Sequence, residues 1–459
     1  RRTNKKRQGS LEYGSVSPPA AFSKRSTPCV CIVSGALRGY ECTRRLWLRQ
    51  QRWLELAENP VVLLQRREIC ESILIPYHTG MKVLLLAENW KPRVGGIERY
   101  LEGITGALSE QGFQVEVVAP KNRRFFWPVV KPAWLPLFIF LWRKAKRNEF
   151  QVLLCGKALF EGLVGYYLKK RLGIPFIVFT YAMEIDVWQK DDVTWRKLVR
   201  VLKGADRVVY INEVTKKRLQ ELGVRDEQLL KVQPGVSIQD TVSSKQYAGK
   251  RYVLSVGRLI QRKGFDTLIE AISQLDQTRF GDVELWIAGD GPDKKRLMDL
   301  AEAEYLIRSA TELASPSQGE APLLTKERSI GDRVRFLGQV PDEELQRLYA
   351  GAEVFALTPR NLAGDIEGFG IVYLEAALHS VPAVATKVGG VSEAVIQEET
   401  GILVEPDSPA AVAVALSRLL ANREQRDRLG NQARLRVQEE FTWTKRAEPL
   451  TQALKKLTE

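Results

Sequence analysis

Two carboxylates eight positions apart, Glu367 and Glu375, are set in Glu-Gly-Phe-Gly-Ile-Val-Tyr-Leu-Glu. Between them Phe369-Gly370-Ile371 reads as a turn that starts a helix, and the free N–H groups of a first helical turn favour a phosphate. Glu375, further along that helix, can take two hydroxyl hydrogen bonds from a sugar diol. Glu367, just ahead of the turn, can hold a second sugar. A diphosphate between two sugars is the outline of a nucleotide-sugar, so the segment points to sugar transfer. Spacing alone leaves a solvated helix face as an equal alternative.

Other residues offer matching chemistry. Arg258 and Lys263 stand five apart in Gly-Arg-Leu-Ile-Gln-Arg-Lys-Gly-Phe, directly after a strand pattern. Two cations at the carboxyl end of a strand can neutralise a departing diphosphate; a solvated loop is the plainer reading. Gly95-Gly96 at a helix start lets backbone approach a ligand closely, or forms a simple tight turn. No Gly-x-Gly-x-x-Gly follows the strand, which argues against a nicotinamide-dependent dehydrogenase. Two histidines, His78 and His379, cannot assemble a histidine metal site.

The residues from Glu367 to Glu375, with Pro382, Gly389-Gly390 and Glu393, resemble the signature of the retaining glycosyltransferases of family 4. Gly95-Gly96, Pro234-Gly235-Val236, Gly257-Arg258 with Lys263-Gly264, Gly289-Asp290-Gly291-Pro292 and Phe336-Leu337-Gly338 match in the expected order. The resemblance covers residues 81–459 and implies the α/β GT-B fold, two Rossmann-like domains facing across a cleft. Thr358-Pro359-Arg360 running into Asp365-Ile366-Glu367-Gly368 is similar to the phosphatidylinositol mannosyltransferase branch.

What this resemblance implies is metal-independent hexose transfer with retention of configuration. Glu367, Arg258 and Lys263 would be catalytic, with Arg262 a bystander. Glu375 would hold the ribose, while Gly370, Ile371, Phe369, Gly95 and Gly96 would complete the donor site. The donor is expected to be GDP-mannose or UDP-glucose, with no further cofactor. One departure stands out. Where the family has a His-Gly pair, this chain reads Tyr181-Ala182-Met183-Glu184. Tyr181 and Glu184 are placed on the acceptor side. Tyrosine can donate a hydrogen bond to a sugar hydroxyl, but its unperturbed pKa makes it a poor base. Ser380, in place of a common glycine, is a small change. A silent protein that binds a sugar nucleotide without turnover is the alternative of a different class.

The elements that must position these groups alternate regularly from Met81, which implies parallel sheets. Strands are predicted at 83–87, 114–119, 152–155, 176–180 and 207–211. In the second half they are predicted at 252–256, 283–288, 334–337, 354–357 and 383–386. Ile97, Leu101, Ile104 and Leu108 mark a helix. The expected organisation is an extension over 1–80, poorly ordered or a mis-assigned start, then an acceptor-side domain over 81–245. A nucleotide-sugar domain follows over 251–435, with a mobile insertion at 307–330. A closing helix over 436–459 should cross back onto the first domain.

Residues 81–250 carry 29 basic and 17 acidic side chains, whereas residues 251–459 carry 26 and 32. A basic first half suggests an anionic partner. No nucleic-acid motif is present, so the favoured partner is an anionic membrane surface, with a lipid or glycan as acceptor. Lys121 to Arg147 interleaves eight Lys or Arg with aromatics and no acid, a pattern suited to a lipid headgroup layer. A buried helix over Trp134 to Lys146 is the alternative there. Four of the five cysteines precede residue 81 without metal-ligand spacing beyond Cys29-x-Cys31, and no signal-peptide pattern opens the chain. A cytoplasmic setting, peripheral at the inner membrane face, is expected.

Overall fold

A computed structural model of the chain describes residues 80–91, 95–119, 134–181, 192–238, 247, 249–313, 333–362 and 365–459. The expectations for residues 1–79, the basic loop at 121–127, Glu184, most of the link at 237–250 and residues 314–332 lie outside it.

Two six-stranded sheets, every pairing parallel, make up the described part. The first has the order β2-β1-β3-β4-β5-β6, and the second β12-β11-β10-β7-β8-β9. The first sheet consists of β1 (Lys82–Leu86), β2 (Gln114–Val118), β3 (Val152–Cys155), β4 (Phe176–Phe179), β5 (Arg207–Tyr210) and β6 (Leu229–Lys231). The second consists of β7 (Arg251–Val256), β8 (Val283–Ala288), β9 (Val334–Gly338), β10 (Val354–Leu357), β11 (Ala383–Thr386) and β12 (Gly401–Val404). The ten predicted strands are present. The two that sequence reading missed, β6 and β12, are short edge strands whose hydrophobic runs barely exceed the length of a turn.

Strands covered on both faces need apolar residues at every position. In β1 the alternation still sorts them. Val83 and Leu85 join the core under helix α1 (Gly96–Glu110), while Leu84 and Leu86 face the opposite core with Leu137 and Leu141. Each such side chain contributes about 1.5–3 kcal/mol on burial. Those last two leucines belong to α2 (Leu135–Lys146), which is therefore a docked helix. Its inner stripe is Leu137, Leu141 and Ala145, and its aromatics lie half-buried along the flank, Trp134 stacked on Tyr167 at 4.5 Å. The helical period of 3.6 places these aliphatic residues inward and the aromatics along the flank.

Helix α3 (Phe160–Leu172) follows β3, and α4 (Asp192–Gly204) and α5 (Glu213–Glu221) flank β5. In the second half come α6 (Phe265–Ser273), α7 (Lys294–Leu313), α8 (Asp342–Gly351), α9 (Ile371–Leu378), α10 (Pro409–Ala421), α11 (Arg423–Glu440) and α12 (Trp443–Lys456). Helix α7 continues to Leu313, so the insertion expected from Ile307 begins as helix. No helix breaker stands between Ile307 and Leu313, and Pro316 is the first.

The closing helix returns to the first half as expected. Thr442 caps α12 by accepting from Lys445 N–H, and Trp443 lies 6.0 Å from Tyr100 of α1. Val236 N–H donates to Phe441 O at 2.8 Å, and Thr451 Oγ1 donates to Gln111 Oε1 at 2.5 Å.

Candidate functional site

The loop from Asp365 to Gly370 joins β10 to α9 and carries Glu367. Gly370 caps the helix at φ 85°, and no side chain supplies the cap. That backbone region strongly disfavours a side chain, which explains glycine here. Gly389, at φ 51°, is a glycine for a second reason: a Cβ there would collide with Glu367 O. The neighbouring Gly390 N–H donates to Glu367 O at 3.2 Å, so the pair of glycines lets the chain lie directly against the Glu367 backbone.

Glu367 is 6% exposed and accepts from two cations of one turn. Lys263 Nζ lies 2.8 Å from Glu367 Oε2, and Arg262 Nη1 reaches the same oxygen. Burial alone would raise this carboxyl; Lys263 and then Arg262 outweigh it and hold the group below the usual carboxylate range. Arg262, expected to be a bystander, also ion-pairs with Asp365 Oδ1 at 2.8 Å. It is wired into the site because the single 3₁₀ turn Gln261–Lys263 presents consecutive side chains to one loop. Thr358 Oγ1 ties that turn to the end of β10 through Gly264 O at 2.6 Å. Arg258 stands apart: it is exposed after β7 and has no ionic partner among the described residues.

Glu375, 9% exposed on α9, is also engaged through both oxygens. Arg99 Nη1 donates to Oε1 at 2.6 Å, and the buried Tyr349 hydroxyl donates to Oε2 at 2.9 Å. Burial, and then the Glu375 charge, push the Tyr349 phenol well above its ordinary value, so it remains a donor. Arg99 comes from α1, across the cleft, and its Nη2 also reaches Asp342 Oδ1 at 2.5 Å. Gly95 and Gly96 open that same α1. A Cβ at Gly95 would meet the Glu98 carboxylate, whereas one at Gly96 would meet nothing within 4 Å.

Further contacts close the two halves on each other. Asn212, which caps α5 by accepting from Thr215 N–H, donates from Nδ2 to Gly368 O. Glu393 accepts from Glu213 N–H at 2.9 Å and from Gln233 Nε2 at 2.7 Å, and pairs with Lys231 at 2.8 Å. The structure thus brings Glu367 and Lys263 together, seats Glu375 against the first half, and leaves Arg258 in solvent. Phe369 is buried against Phe441, their centroids 5.8 Å apart, so its backbone alone is left to meet a ligand. Ile371 is half-buried at the first position of α9. Tyr181, 8% exposed, stands edge-on to Tyr100 at 5.9 Å in the core beside the cleft.

Sequence reasoning missed Arg99, Tyr349 and Asn212. Nothing local marks them, because their partners lie 276, 26 and 156 positions away. One buried acid was also missed. Glu161, 1% exposed at the start of α3, accepts from Glu88 N–H and has its second oxygen unpartnered. Burial pushes this carboxyl up to about 8. It sits where β1 and β3 end, at the point where strand order reverses in the first sheet, the usual crevice for ligands in such sheets.

Two facing parallel sheets, with a buried carboxylate–lysine pair ahead of a helix start, define a two-domain enzyme that handles an activated sugar at its cleft. Comparison with known proteins agrees. Residues 94–240 match the family described as Glycosyltransferase Family 4, and residues 250–422 match Glycosyl transferases group 1. A GDP-mannose-dependent alpha-(1-6)-phosphatidylinositol monomannoside mannosyltransferase of Mycolicibacterium smegmatis is 28% identical over 400 residues, covering 81% of this chain and 98% of the relative. A D-inositol 3-phosphate glycosyltransferase of Corynebacterium diphtheriae is 30% identical over 312 residues, 63% of this chain and 67% of the relative. HepE of Anabaena, crystallised with UDP and glucose, has a similar fold at a TM-score of 0.62 and 21% identity, covering 82% of this chain and all of that one. The chain belongs to the group 1 and family 4 glycosyltransferases, with the GT-B fold. It is a hexosyltransferase that uses a nucleotide-sugar donor. Among the described residues no helix is long and apolar enough to cross a membrane.

Proposed function

We propose that the chain transfers mannose from GDP-mannose to a phosphoinositol-type lipid, with retention of configuration and without a metal ion. The observation that carries this reading is the Glu367–Lys263 pair at 2.8 Å, set immediately before the uncapped start of α9. When the diphosphate arrives, Lys263 and Arg258 would meet its charge together with the first N–H groups of α9. Glu367 would then orient the donor sugar and Glu375 the ribose. As the bond from the anomeric carbon to the diphosphate oxygen breaks, the acceptor hydroxyl enters from the same face. Its proton passes to the departing phosphate oxygen, so no enzymic base is required. Tyr181 and Glu184 are assigned to the acceptor side, where the buried Tyr181 acts by shaping the wall rather than by exchanging protons.

The choice of mannose and lipid rests on the mycobacterial relative, whose length the chain spans almost completely. The basic first half supports docking at an anionic membrane. A specific observation favours a second reading: the inositol-phosphate enzyme at 30% identity acts on a small phosphorylated polyol by its name. One experiment separates them. The full-length chain is incubated with GDP-mannose or UDP-glucose and, in separate arms, vesicles containing phosphatidylinositol mannoside or free inositol 3-phosphate. Glycolipid formed from GDP-mannose, and absent with Glu367→Gln, supports the first reading. Product with inositol 3-phosphate alone moves the assignment to the second. Donor binding with no product in either arm favours the silent alternative.

A further inference from the structure

Resting on the reading of Glu375 as the ribose residue, we infer that Arg99 is the cross-cleft positioning residue for that carboxylate. One observation and two principles carry the inference. Both Glu375 oxygens accept a hydrogen bond from the protein, Oε1 from Arg99 at 2.6 Å and Oε2 from Tyr349 at 2.9 Å. A carboxylate oxygen has a second acceptor site, so each can still receive one hydroxyl of a vicinal diol. A carboxylate clamped at both ends has lost its rotational freedom about the terminal bond before the ligand arrives, and preorganisation of this kind strengthens binding without a new contact to the ligand.

Arg99 is suited to the task by its place as well as its charge. It belongs to α1, whose buried face is Tyr100, Leu101, Ile104 and Leu108. The same guanidinium spans Glu375 of α9 and Asp342 of α8, so one planar fork joins the first half to two helices of the second. The ribose end of the donor site is therefore complete only when the halves are together. In the open cleft Glu375 would keep Tyr349 alone, and the diol would meet a carboxylate held at one end. Donor affinity thereby depends on closure through a residue that need not touch the donor.

The test measures binding of GDP and UDP, each beside its 2′,3′-dideoxy counterpart, to the full-length chain by calorimetry. The wild type is expected to bind the ribonucleotide at least ~10-fold more tightly than the dideoxy form. Arg99→Ala should lose most of that advantage and leave dideoxy binding within about twofold, with Arg99→Lys restoring part of it. Tyr349→Phe, which keeps the ring and drops the other clamp, should move the ratio in the same direction and covers the case in which Arg99→Ala does not fold. An equal loss for both nucleotides in Arg99→Ala would make Arg99 merely structural and overturn the inference. Tighter ribonucleotide binding would show that Arg99 competes with the ribose and would overturn it too. A wild type indifferent to the ribose hydroxyls would instead remove Glu375 from the ribose site, and the underlying reading would fall first.

Discussion

Glu367 and Glu161 are the same residue type at nearly the same burial, 6% and 1% exposed, yet their carboxyl groups behave oppositely. Glu367 lies in the second half with Lys263 and Arg262 against it, and is held below the usual range. Glu161 lies at the end of the first sheet with only backbone N–H groups and the Lys157 charge to oppose desolvation, and burial pushes it to about 8. Desolvation disfavours both charged forms; adjacent cations decide which form is kept. The donor side of the cleft is thus built for fixed charge. The side of the first sheet keeps a carboxyl whose charged form burial disfavours.

The comparison can be broken most directly at Glu367. Replacing it with Gln should reduce turnover by roughly 10²–10³-fold while leaving nucleotide binding nearly intact; a loss under threefold would remove Glu367 from the chemistry. Lys263→Met should reduce turnover by roughly 10²-fold. It should also raise the Glu367 carboxyl, since Lys263 is the strongest influence opposing its burial. An acid limb should then appear in the pH–rate profile at higher pH than in the wild type. If the limb stays where it was, the ion pair does not control the charge of Glu367.

Glu161 sharpens the other half of the contrast. Its folded value of about 8 lies above its unfolded value of 4.5. The stability it contributes is therefore complete below 4.5 and is lost as pH rises through about 8. Glu161→Gln should remove this dependence, so that its stability relative to wild type rises by about 2 kcal/mol from pH 6 to pH 8. Thermal melts of the two proteins across that range would show curves that diverge toward alkaline pH; parallel curves would mean that Glu161 is ionised throughout. The smallest effect is expected from Tyr349→Phe, which deletes one hydroxyl from Glu375. Donor affinity should weaken by about 3–10-fold, matching one hydrogen bond to a charged group, with kcat unchanged in initial-rate kinetics.

Much of this was legible in the residues. Continuous apolar runs such as Val83 to Leu86, alternating with helical patterns, read as strands covered on both faces, and ten of the twelve strands followed from such runs. Local geometry also tied Gly370 to a helix start and placed Lys263 in the turn after a strand. Edge strand β6 escaped because three residues carry too little periodicity, and β12, no shorter than β3 or β10, because it opens on Gly401, a turn signal. The continuation of α7 escaped because polar composition was read as a loop although nothing in it breaks a helix.

Taken alone, the sequence determined the two sheets, the order of the motifs and the membership in a glycosyltransferase family, because each depends on neighbours within a few residues or on their order along the chain. The tertiary structure decided which charges meet. Arg99 on Glu375, Arg262 beside Lys263 on Glu367, and Asn212 on Gly368 are all set by how the two halves and their loops close. Whether a glutamate stays charged depends on the cations within a few ångströms and on the water excluded around it. Both are properties of three-dimensional packing that no spacing along the chain encodes.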